Sequence, residues 1–61
     1  MIIKEFEYLG YWVEIHEHPI YHDWEWVVKS LDKLSVIGAS THPYFSPADA
    51  ENSAIIFINN Q

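Results

Sequence analysis

The chain has 61 residues, 49% of them apolar and 16% aromatic, and three lysines with no arginine stand against nine acids for a net charge of −6 with neutral histidines. So short a chain buries only about 60% of the surface that its unfolded form exposes, which makes residues 1–61 a single domain with a few kcal/mol of stability. The acidity argues against direct nucleic-acid binding, and the lack of cysteine excludes a disulfide staple, a thiolate nucleophile and a thiolate zinc site.

No apolar run approaches the roughly 20 residues of a membrane span. The start M-I-I-K-E-F-E has neither a basic region nor an apolar core of the signal-peptide kind. The expectation is a cytoplasmic protein with no membrane partner.

Residues 2–16 alternate in polarity, but the parity changes midway. Phe6 and Tyr8 are even, whereas Tyr11, Val13 and Ile15 are odd. Because a strand's side chains change face at every residue, one extra residue must intervene to keep both sets on one side. Leu9-Gly10 is the natural place for a bulge, so the pattern predicts one long, bent strand. Its inner face is Phe6, Tyr8, Tyr11, Val13 and Ile15; its outer face is Trp12, Glu14 and His16.

Glu17 to His22 breaks the alternation with a proline and reads as a hairpin connection. The second strand runs from Asp23 to Leu31, with Trp24, Trp26 and Val28 as its core set and Glu25, Val27 and Lys29 opposite. After a turn at Asp32-Lys33, a third strand spans Leu34 to Ser40. Its inner set reads equally well as Leu34/Val36 or as Ser35/Ile37/Ala39.

Ser46 to Ile58 is a helix with a marked start. Ser46 is the cap, Pro47 suits the first helical position, Asp49 stands at the capping-box position, and Phe45 is placed to staple onto Ala50. At 100° per residue, Ala50, Ala54, Phe57 and Ile58 fall within an arc of about 100°, the width of a core stripe. Ile56 points away from it, either as a lone exposed isoleucine or as the edge of a contact surface. The predicted fold is α+β, a three-stranded antiparallel meander covered on one face by one C-terminal helix.

The order Tyr8-Leu9-Gly10-Tyr11, then Trp24-Glu25-Trp26-Val27-Val28, then Ser46-Pro47-x-x-Ala50-x-x-x-Ala54 resembles small, mostly bacterial β-β-β-α domains. They carry a Y-x-G-Y strand, a Trp-rich second strand and a helix of this type, and HicB-like antitoxins are similar in topology. The motif consists of core and turn residues, so the resemblance implies the fold and no activity. The chain also departs from RNA-binding relatives in having no basic face.

The only cluster with ligand chemistry is His16, His18 and His22 beside Glu14 and Glu17. On a strand, residues 14, 16 and 18 project from one face about 7 Å apart, so Glu14, His16 and His18 could converge on Zn²⁺ or Ni²⁺ in a loose, solvent-facing site. Charging all four histidines would move the formal charge from −6 to −6 + 4 = −2, which would make association pH-dependent between about pH 5 and 7. There is no P-loop, dinucleotide fingerprint, nucleophile elbow or zincin motif, and Glu5/Glu7 read as a solvated strand edge.

The sequence therefore points away from an enzyme, with no catalytic residue and no cofactor. The leading expectation is a non-catalytic protein-binding or regulatory module that acts on a protein partner or as a homodimer. A weak metal- or small-ligand-binding protein built on His16 and His18 is the alternative.

Overall fold

Four strands, rather than three, precede the helix in the computed structural model, which describes residues 1–61. They are β1 (Ile2–Tyr8), β2 (Tyr11–Glu17), β3 (Trp24–Lys29) and β4 (Val36–Ala39), followed by α1 (Pro47–Asn59). All neighbours are antiparallel and the order is β1-β2-β3-β4, a simple meander.

The extra strand comes from Leu9-Gly10, which is a turn and not a bulge. Leu9 and Gly10 have φ of 49° and 85°, the two successive left-handed residues that a two-residue type I′ hairpin requires. Such a hairpin sets Tyr8 opposite Tyr11 and Phe6 opposite Val13. It therefore produces the same change of parity as a bulge, by folding the chain back on itself. The inner set of Phe6, Tyr8, Tyr11, Val13 and Ile15 is as expected, although two strands supply it. The bulge in this hairpin lies nearer the start, between Ile2 and Lys4. Past it, Lys4 pairs with Ile15 on the inner side, where its Nζ lies 2.7 Å from Glu51 Oε1 on the helix.

β2 and β3 pair in the register Val13–Val28 and Ile15–Trp26, which assembles the centre of the core. Val13, Ile15, Trp26 and Val28 are buried against Ala50, Ala54 and Ile58 of α1. Each large side chain withdrawn in this way contributes about 1.5–3 kcal/mol of transfer free energy.

The turn before β4 is built from polar groups. Lys33, with φ of 66°, donates its backbone N–H to Ser30 O at 2.8 Å. The Asp32 carboxylate accepts the Ser30 hydroxyl at 2.6 Å and the Leu34 N–H at 3.0 Å. These two bonds hold the Asp32 carboxyl below its usual range.

β4 is shorter than expected, and neither predicted inner set is the buried one. The register shifts between Val28 and Lys29, so Val36 and Ala39 both pair with outward residues, Lys29 and Val27. Gly38 is the residue that faces inward, opposite Val28. The Phe57 ring occupies the space where a Gly38 side chain would stand. Beyond β4 the chain bows out and returns to the same edge at Tyr44, which exchanges two backbone hydrogen bonds with Trp24 at 2.7 and 2.9 Å.

The helix begins as expected, with Ser46 Oγ accepting the Asp49 N–H at 3.1 Å. The staple does not form, because Phe45 is 92% exposed while Ala50 is already pressed against the sheet with only a methyl group to offer. Ser53 Oγ instead ties the helix to the crossover, accepting Trp26 Nε1–H at 3.0 Å and sharing a 2.7 Å hydrogen bond with Tyr44 OH. Tyr8 OH donates to Asn59 Oδ1 at 3.1 Å and fixes the other end of α1 to β1.

Candidate functional site: the open sheet face and its edge

A meander with one helix leaves one face of the sheet without a covering element. By register, that face carries Glu5 and Glu7 from β1, Trp12, Glu14 and His16 from β2, Glu25, Val27 and Lys29 from β3, and Val36 and Ala39 from β4. Trp12, Glu14 and His16 are outward, as the alternation predicts.

Glu14 is not the loosely held, solvent-facing ligand that the sequence suggests. It is 4% exposed, and both carboxylate oxygens are engaged. Oε1 accepts His16 Nε2–H at 2.9 Å, and Oε2 accepts Lys29 Nζ at 3.0 Å. Burial alone would push this carboxyl up, but the bonds from His16 and Lys29 outweigh it and hold the group below its usual value. A buried carboxylate survives here because it is paired and hydrogen-bonded. The role of Lys29 depends on the β2–β3 register, which places it diagonally from Glu14 on the same face; alternation alone shows only that Lys29 is outward.

Trp12 lies beside this triad. Lys33 Nζ sits 4.1 Å from its ring centroid, while the indole Nε1–H is enclosed and has no hydrogen-bond partner. The cation over the ring is favourable by roughly 0.5–1 kcal/mol at such a surface.

His16 and His18 both line one shallow depression of about 150 Å³, together with Met1, Glu17, Pro19 and Glu25. The histidines do not converge. His16 is committed to Glu14, the His18 ring packs on Tyr21 at 4.7 Å, and His22 Nδ1 lies 3.6 Å from Glu17 Oε2. No group of three His, Cys, Asp or Glu side chains stands close enough together to hold a metal ion.

One group of exposed apolar side chains follows the β4 border of the sheet, opposite the border where Met1, Ile2 and Ile3 are exposed. Leu34 is 85% and Val36 64% exposed, Ile37 is also exposed, and Phe45 follows the Tyr44 bridge on the same edge. From the sequence Phe45 reads as the helix staple and the third strand's faces stay open, so local pattern does not reveal this strip. Ile56 is 61% exposed, but Asn52 and Asn60, one turn to either side, are exposed and polar, so no apolar strip runs along the helix.

The fold is that of a small α+β domain with a four-stranded antiparallel sheet and one C-terminal helix. No helix is long and apolar enough to cross a membrane. No family model, curated protein or solved structure matches the chain.

Proposed function

We propose that this chain is a non-catalytic protein-binding module whose working surface is the open face of the sheet and the β4 border that continues it. The carrying observation is the distribution of exposed apolar groups. Leu34, Val36, Ile37 and Phe45 are exposed along the β4 edge, and half-buried Trp12 and Val27 lie on the adjoining face that the helix does not cover. Aromatic and aliphatic anchors ringed by charge are what protein interfaces concentrate at their centres. Here Glu7 stands opposite Trp12, and Glu25 lies on the same face of β3 as Val27.

The depression beside His16 is smaller than the roughly 300–1,000 Å³ of ligand pockets, which favours a flat contact over small-molecule turnover. The test is chemical cross-linking in cell extract with wild type and a Trp12→Ala/Val36→Lys variant of unchanged circular dichroism. A defined cross-linked species present for wild type and lost in the variant is expected. The same species at the same yield from both would refute the assignment of this surface.

A further inference from the structure

The two edges of the sheet are unlike. The β1 edge opens on exposed Ile2 and Ile3, but the strand bulges between Ile2 and Lys4 and continues with the charged Lys4, Glu5 and Glu7. Charges and bulges are the devices that keep an edge from pairing with another strand. An antiparallel β1–β1 contact centred on Phe6 would set Glu5 of each copy against Glu7 of the other, like charge on like.

The β4 edge is built the other way. From Leu34 to Phe45, L-S-V-I-G-A-S-T-H-P-Y-F, there is no Asp, Glu, Lys or Arg, in a chain whose net charge is −6. Four large apolar side chains in that run, Leu34, Val36, Ile37 and Phe45, are exposed. Backbone groups are free there as well. The Ser40 N–H bonds Trp26 O, so Val27–Ala39 is the alternate, non-bonded pair of the ladder, and the Ala39 N–H and C=O point away from β3.

We infer that a second copy of this chain occupies the edge, with β4 pairing antiparallel to its symmetry mate about a two-fold axis to make one continuous eight-stranded sheet. The inference rests on the protein-binding reading and names its partner. Three observations single out a second copy. The edge is charge-free, so two acidic chains meet where their repulsion is least. It is self-complementary, since an outward Ala39 can pair with the Ala39 of a mate. And pairing about a two-fold through Ala39 sets Ile37 of each copy opposite Thr41 of its mate and Val36 opposite His42, so the exposed aliphatics of both copies flank one uncharged seam, the isologous arrangement of most homodimers. Side-chain alternation then puts both helices on one side and joins the two open faces, with both Trp12 side chains, into a single surface.

The seam is short, one four-residue strand with its flanks, so the association is weak, with Kd on the order of tens of micromolar. Sedimentation of wild type from about 1 to about 500 µM should show conversion of monomer to dimer. Val36→Lys, at an exposed position, should weaken association at least tenfold with unchanged circular dichroism. Ala39→Pro removes a backbone N–H that β3 does not use and should do the same; if it fails to fold, Val36→Lys carries the test alone. Glu5→Lys on the opposite edge and Ile56→Lys on the helix should leave the dimer intact. A chain that stays monomeric throughout overturns the inference. So does a dimer that Val36→Lys leaves unchanged; if Ile56→Lys or Trp12→Ala dissociates that dimer, the seam is elsewhere and the protein-binding reading survives. Loss of the dimer in Val36→Lys alone supports both.

Discussion

Replacing Gly38 by alanine tests how the sheet and helix are fitted together. A Cβ at Gly38 would stand 2.3 Å from Phe57 Cζ and 2.8 and 2.9 Å from its Cε atoms. Ordinary contact begins near 3.4 Å, so the ring tip must retreat by 3.4 − 2.3, about 1 Å. It has little freedom to do so. The ring packs on Trp26 with centroids 5.1 Å apart, and the helix that carries it is seated through Ala50, Ala54 and Ile58. Overpacking of this kind costs about 1–3 kcal/mol, partly offset by the ~0.4–1 kcal/mol that alanine recovers from reduced unfolded-state entropy. The net expectation is a loss of about 1–2 kcal/mol, a large share of the stability of so small a domain. With a urea slope near 1 kcal/mol/M for a chain of this size, the midpoint should fall by roughly 1–2 M. Phe57→Leu in the Gly38→Ala background should restore part of the loss, giving a coupling energy of about 1 kcal/mol in a double-mutant cycle. A Gly38→Ala variant with a midpoint at or above wild type, or a cycle with no coupling, would refute the placement of Phe57 over β4.

Leu9→Asn should raise stability by about 1 kcal/mol, read as a higher urea midpoint, because leucine at φ 49° bears a left-handed penalty that asparagine largely avoids in an Asn-Gly hairpin turn. Ser46→Ala should cost about 1 kcal/mol through the lost bond to the Asp49 N–H. Glu14→Gln should cost about 1–3 kcal/mol at pH 7, since it removes the charge from a carboxylate bonded to both His16 and Lys29. The sign with pH follows from the depressed carboxyl: the unfolded chain takes up the proton first, so the contribution is complete above the ordinary carboxylate value and fades as pH falls through and below it. Wild type should therefore lose more of its urea midpoint between about pH 6 and 3 than Glu14→Gln does, and parallel acid limbs would contradict the pairing. Zinc titration should give binding no tighter than that of isolated surface histidines and unchanged by His18→Ala, since the imidazoles do not converge.

Much of this fold is written locally in the chain. The Ser46-Pro47 start and the spacing of Ala50, Ala54, Phe57 and Ile58 mark the helix, because capping and period act within a few residues. The inner faces of β1, β2 and β3 follow from alternation for the same reason. At Leu9-Gly10 local logic is degenerate: a bulge and a two-residue turn both reverse parity, and only the positive φ at both residues with pairing of Tyr8 to Tyr11 separates them. In β4 the inward residue is a glycine, with no side chain to announce it, and its place is set by a register shift and by Phe57 from the helix. The burial of Glu14 was equally hidden, since it depends on Lys29 reaching across from the neighbouring strand. The histidines behave in the opposite way, close in sequence yet directed to separate partners.

The most direct measurement of the central claim, a dimer seam at the β4 edge, is residue-resolved amide exchange as a function of protein concentration. In the monomer, Gly38 is bonded into the β3 ladder and Ala39 is not. Ala39 should exchange freely at a few micromolar and become protected by at least tenfold at hundreds of micromolar, while Gly38 and the core amides of β2 stay protected at both. Ala39 protection that does not change with concentration, or concentration-dependent protection confined to β1 or α1, would contradict it.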